Sequence, residues 1–140
     1  MRFWDSSALL PLFVAQPTTK ALRTWIEDDG DLSIWALSDV ELRSGLARLA
    51  REGALTLHQV QEAAQRIGEL FERSVVIDSL PAVAARARRL VMVHPLRAAD
   101  ALQLAAALVA CGDDTRGFEL VTKDERLAEA ARREGFTVRP

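Results

Sequence analysis

Four acidic residues stand where solubility alone does not explain an acid. Asp5 follows the apolar start MRFW and sits just before ALLPLF; Glu41 lies in ALSDVELRSGLA, Asp100 in LRAADALQLAAAL, and Asp124 just past FELVT. A carboxylate in apolar surroundings is costly unless it is hydrogen-bonded, paired or bound to a cation. Each acid also has an ordinary reading. Asp100 and Asp124 suit the N-cap of a helix, and Glu41 suits a first helical turn, where the macrodipole favours an acid. For Asp5, Ser6 and Ser7 already offer capping hydroxyls, which leaves the carboxylate for other work. No histidine or cysteine set competes. His58 and His94 read as solitary surface residues, and the single Cys111, after LAAALVA, reads as a small buried apolar residue. Four carboxylates in one crevice would repel one another, and an all-oxygen set suits a hard cation, Mg²⁺ or Mn²⁺, rather than zinc. A cation so held recruits phosphate, lowers the pKa of an attacking water and steadies the leaving oxygen.

Whether the acids meet depends on the elements that carry them. Short strands are predicted at 2–5, 32–35, 74–78 and 118–122, with FTVRP as a closing edge strand. Helices are predicted over SALLPLFVA, where Pro11 is tolerable only near the first turn, and over TTKALRTWIEDDG, capped by Thr18 or Thr19 and stopped by Gly30. ALSDVELRSGLARLAREG, ended by Gly53, pairs as a hairpin with a helix over 56–72 capped by Thr56. PAVAARARRLVMV, HPLRAADALQLAAALVACG and KDERLAEAARREG complete the set. Strands alternating with helices predict an α/β fold, a central mostly parallel sheet flanked by helices. The length fits one domain over residues 1–140. Ligand sites in such sheets lie beyond the carboxyl ends of the strands, where the four acids fall.

Composition narrows the partners. Eighteen basic against 20 acidic residues give a net charge of −2, so no whole-molecule basic field draws the chain to nucleic acid. Sixteen of the basic residues are arginine, whose forks match phosphate. Most read as solvated helix faces; Arg97, beside Asp100, is best placed for phosphate, ahead of Arg86, Arg88 and Arg89. Trp25 and Trp35 read as core or dimer contacts. The longest apolar run, ALQLAAALVACG, is about half the ~20 residues of a membrane span. With one cysteine and no signal-peptide pattern, a reducing, cytoplasmic setting without membrane contact is expected.

The stretches WDSSALLPLF, LSDVELRSGLAR, LRAADALQLAAAL and LVTKDERLAEAARREGF cover nearly the whole chain. Together they resemble PIN-domain proteins, specifically VapC-type toxin ribonucleases of type II toxin–antitoxin systems. The resemblance implies a PIN-like three-layer sandwich whose catalytic, metal-binding acids are Asp5, Glu41, Asp100 and Asp124. Ser6 matches the hydroxyl residue that follows the first acid, and Thr122 the hydroxyl of the T-x-D element; both would orient carboxylates or waters. Trp4 stands where many relatives carry a smaller or aliphatic residue. The resemblance further implies RNA cut by metal-activated water, a homodimer, and a VapB-type antitoxin that inserts a segment near the site.

Two alternatives of other classes compete. A receiver-type Mg²⁺-dependent phospho-acceptor domain would use Asp78 after SVVI, with Thr122 and Lys123 as helpers. It lacks the acidic pair expected at the end of the first strand, and its Thr and Lys should end different strands. A catalytically silent PIN fold used for binding would be expected to lack one of the four acids.

Overall fold

The computed structural model describes residues 1–14, 19–28 and 30–140. In chain order the elements are β1 (Arg2–Trp4), α1 (Ser6–Leu9), a 3₁₀ turn (Leu10–Leu12), α2 (Thr19–Asp28), β2 (Leu32–Trp35), α3 (Ser38–Arg51) and α4 (Leu57–Glu72). β3 (Val75–Ile77), α5 (Leu80–Val93), α6 (Ala98–Ala110), β4 (Glu119–Val121), α7 (Glu125–Arg133) and β5 (Thr137–Arg139) follow. The strands form one sheet in the order β3-β2-β1-β4-β5, and every pairing is parallel. β1 is therefore central. The chain first winds outward through β2 and β3, then returns to β4 on the other side of β1. The sheet's switch point lies between β1 and β4, the crevice where ligands bind in sheets of this kind.

Alternation along the strands builds the layers. Successive side chains on a strand point to opposite faces. Phe3, Trp35 and Leu120 join a core with α5, α6 and α7, while Trp4, Ile34 and Val121 join a second core with α1 to α4. All six are at most 2% exposed. Burying each such side chain contributes about 1.5–3 kcal/mol, so the sheet is held from both sides. Helix α6 is the most enclosed helix: Ala101, Leu104, Ala105, Ala106 and Ala107 are all fully buried. Its alanines let it lie close under the sheet.

Local chemistry explains where elements stop. Pro11 lacks an N–H and its ring crowds the carbonyl four residues back, so α1 gives way to the 3₁₀ turn after one turn. The helix expected over SALLPLFVA is shortened for that reason. Thr56 caps α4 in a reciprocal capping box with Gln59. Gly53 and Gly112 take positive φ just past α3 and α6, as helix ends favour. The long helix expected from His94 starts instead at Ala98, with Arg97 as N-cap. The cap assigned to Thr18 or Thr19 lies outside the described residues and side chains.

Two expectations about single residues need correction. Cys111 is only half-buried, its thiol facing the Leu108 carbonyl at 3.4 Å. His94 is neither solitary nor on the surface. It is 6% exposed, and its Nε2 lies 2.6 Å from Glu134 Oε1. Glu134 also receives both Nη groups of Arg89, at 3.1 and 2.6 Å. A sequence does not show a pairing 40 residues apart.

Removing Glu134 should orphan a buried ring nitrogen. Glu134→Ala should cost about 1–3 kcal/mol in chemical denaturation. The hydrogen bond from Arg89, then that from His94, holds the Glu134 carboxyl below its ordinary 4.5. A depressed folded pKa stabilises above the unfolded value. The contribution of Glu134 is thus full above about pH 4.5 and is lost as pH falls below it. The acid arm of the variant's stability profile should be correspondingly flatter than that of the parent.

Candidate active site

Asp5 ends β1. Its N–H continues the ladder to the Val121 carbonyl at 3.0 Å, and its side chain is 3% exposed. The expectation that Ser6 or Ser7 would do the capping fails: Asp5 is itself the N-cap of α1, accepting from the Ser7 N–H at 3.2 Å. The same oxygen, Oδ2, accepts from the hydroxyls of Ser7 and, at 2.8 Å, Thr122. Ser7 Oγ in turn accepts from the Lys123 N–H at 2.9 Å, and Thr122 Oγ1 from the Asp124 N–H at 3.1 Å. Each hydroxyl has a single proton, and both protons point to Oδ2. That oxygen is committed to structure. Oδ1 is left with a long 3.4 Å contact from Ser6 Oγ. Capping and cation binding are therefore compatible, one on each oxygen.

Glu41 lies in the first turn of α3, close to α1. Its Oε2 accepts from Ser6 Oγ at 2.7 Å, and its Oε1 from Gln103 Nε2 at 3.0 Å. Ser6 thus spans the first two acids, as a carboxylate-orienting role requires. Gln103 Nε2 also reaches Ser38 Oγ at 2.9 Å. Gln103 is 1% exposed, and its Oε1 has no partner among the described residues.

Asp100 lies in the first turn of α6 rather than at its cap. Asp124 is the N-cap of α7, with Oδ1 accepting from the Leu127 N–H at 2.8 Å. The acids feel one another. Burial pushes the Asp100 carboxyl above its ordinary value, and the charges of Asp124 and Asp5 push it further, against Arg97 and Arg126. Burial also pushes Asp5 up; Ser7 and Thr122 oppose that shift, and the Glu41 charge adds to it. Asp5 thus feels Glu41, and Asp100 feels both Asp124 and Asp5, at the switch point of the sheet.

The donor chemistry fits a hard cation. The donors are all oxygen, one oxygen of Asp5 is nearly free, and mutual repulsion is what a bound cation would relieve. The cage is not drawn in: among the described residues, no three His, Cys, Asp or Glu side chains are disposed to hold a metal ion. Glu41 in particular is tied to Ser6 and Gln103.

Sequence reasoning missed Ser38 and Gln103, and took Ser7 only as a candidate cap. Gln103 had a visible signal, being the one polar side chain between Ala101 and Ala110. Two arginines are already paired: Arg86 forks onto Asp113, with Nε at 2.7 Å from Oδ1, and Arg89 onto Glu134. They are structural, not free for phosphate. The receiver-type alternative also fails on geometry. Asp78 follows β3, three strands from β4 and Thr122, a separation of about 14 Å at ~4.8 Å per strand.

The model of the PIN domain matches residues 2–133. The chain belongs to the PIN domain family. Its sequence is 30% identical over 139 residues to ribonucleases VapC45 and VapC49 of Mycobacterium tuberculosis, covering 99% of this chain and 94% of theirs. It is thus a PIN-domain protein of the VapC type. FitAcB from Neisseria gonorrhoeae has the same fold, with a TM-score of 0.68 at 20% identity over 100% of this chain and 97% of that one. So does Mycobacterium tuberculosis VapC20, with a TM-score of 0.67 at 18% identity and full coverage of both. A toxin–antitoxin complex from Klebsiella pneumoniae matches at 0.64 and 21% identity over 91% of each chain. The expected PIN-like three-layer sandwich is the fold observed, and its sheet is wholly parallel.

Proposed function

We propose that the protein is a divalent-metal-dependent endoribonuclease, the toxin of a toxin–antitoxin pair. The observation that carries the chemistry is the division of labour on Asp5, with Oδ2 fixed by three donors and Oδ1 left with one long contact, within the electrostatic reach of Glu41 and Asp100. The whole-length similarity to VapC ribonucleases supports RNA as substrate. The solved toxin–antitoxin complex of this fold from Klebsiella pneumoniae supports a VapB-type antitoxin as partner. A homodimer and a cytoplasmic setting belong to the same reading. Among the described residues no helix is long and apolar enough to cross a membrane.

Asp5, Glu41, Asp100 and Asp124 would hold Mg²⁺ or Mn²⁺, which when bound supplies the charge that gathers phosphate and acidifies a water. The chain's own groups set the stage. Ser7 and Thr122 fix the plane of the Asp5 carboxylate, and Ser6 aligns Glu41 with it. Arg97 and Arg126 lie within electrostatic reach of Asp100. They suit a phosphate oxygen on that side of the cut bond.

Cleavage of a total RNA pool tests the reading. Antitoxin-free protein should cut with Mg²⁺ or Mn²⁺ and stop when a chelator is added. The same cations should raise the Tm of the parent protein, since they relieve carboxylate repulsion. A protein that neither cuts RNA nor gains thermal stability from any divalent cation would defeat the proposal.

A further inference from the structure

We infer that Arg48 and Arg51 of α3, with Ser44, form a backbone-tracking subsite that holds phosphates of the RNA chain on the Glu41 side of the cut bond. The inference rests on the nuclease reading above and extends it to how the substrate lies.

Three observations carry it. First, an open cleft of about 460 Å³ runs along α3 from Glu41, lined by Ser6, Glu41, Ser44, Arg48, Arg51 and Lys123 among others. Second, these α3 residues fall on one side of the helix. At 100° per residue, Arg48 returns to within about 20° of Glu41 and about 10 Å along, while Ser44 and Arg51 lie about 60° and 80° round, at about 5 and 15 Å along. Third, the two guanidiniums are unpaired. Both arginines are exposed, and neither their side chains nor that of Ser44 has a hydrogen-bond or ion-pair partner among the described residues. Arg43 on the same helix, by contrast, is tied to Asp39 at 3.0 Å.

The cleft also has a telling composition. Its only apolar members are Leu10, Leu42 and the bare Gly45, where an added Cβ would come within 3.1 Å of Leu10 Cδ2. Among the described residues it has no aromatic ring on which a base could stack. Sequence-tolerant base binding needs such platforms. The chemistry offered is cationic forks and a hydroxyl, which recognise phosphate oxygens and sugars and not base identity. Steps of about 10 and 15 Å along the helix suit successive phosphates beyond the one at the acids.

The test uses full-length protein with a single-stranded RNA that it cuts. Arg48→Ala/Arg51→Ala should raise KM about tenfold at low salt and leave kcat within about twofold, the pattern of lost uniform binding. In the non-cutting Asp5→Asn background, the same pair should weaken RNA binding. The slope of log affinity against log salt should fall by about 0.7 for each phosphate that the protein no longer neutralises. Arg48→Lys/Arg51→Lys should restore most of the slope. Methylphosphonate linkages, which neutralise phosphates, should weaken binding when placed on one side of the cut bond, and should add nothing in the alanine pair. Unchanged KM and slope in the alanine pair, with the parent cutting RNA normally, would overturn the subsite and leave the nuclease standing. Failure of the parent to bind or cut any RNA would overturn both.

Discussion

Asp5→Asn should fold as stably as the parent and cut RNA at least about 10²–10³-fold more slowly. The two halves of this result come from the two oxygens. Asparagine caps a helix about as well as aspartate, and its carbonyl can take the place of Oδ2 against Ser7 and Thr122. Its NH₂ then replaces Oδ1, next to Ser6 and the other acids. A neutral donor there cannot ligate a cation. Loss of that charge removes several kcal/mol of transition-state stabilisation, or about two to three decades at ~1.36 kcal/mol each. Stability should not suffer. Burial and the Glu41 charge hold the Asp5 carboxyl above its ordinary range, so the ionised form is disfavoured in the fold. Neutralising it should leave the metal-free Tm equal or higher, and Mg²⁺ should no longer raise it. An Asp5→Asn protein that cuts at the parent's rate would reduce Asp5 to a cap.

Gln103→Leu carries the second large effect. Gln103 is fully enclosed and holds Glu41 through one N–H while the other faces Ser38. Leucine fills similar space without a donor. Glu41 is then anchored by Ser6 alone, and partners that orient a metal-binding carboxylate are typically worth about 10–100-fold in affinity or rate. Cleavage should fall by that factor, with a matching loss in Mn²⁺ affinity measured by titration. Stability should fall by about 1–3 kcal/mol, because the substitution leaves the fully buried Ser38 Oγ without its partner. Metal binding and cleavage, measured well below the unfolding temperature, should still weaken by the stated factor. Equal metal affinity in the two proteins would show that Gln103 only fills space.

Much of this is legible in the chain itself. The five strands and the pairing of α3 with α4 follow from periodicity and from Gly and Thr punctuation. The four acids announce themselves by their apolar settings. What stays hidden is the assignment of hydrogen bonds to particular oxygens. Nothing in DSS says which of three polar residues will cap, because the outcome depends on Thr122, 117 residues away. His94 reads wrongly for the same reason: its partner Glu134 arrives 40 residues later. The arginines divide similarly, since only tertiary pairing separates structural Arg86 and Arg89 from Arg48 and Arg51. Sequence pattern reports periodic burial well and long-range pairing poorly.

The clamp on Asp5 also has a temporal meaning. β1 precedes the other four strands in the chain, yet its carboxylate is oriented by Thr122 and its ladder is completed by Val121. A nascent chain carries Asp5 and Glu41 before it carries Asp124 and the hydroxyl that fixes the first acid. Pairings this distant in sequence must close a long loop before their contacts reward it. The first acid's carboxylate is thus set only by residues more than a hundred positions downstream.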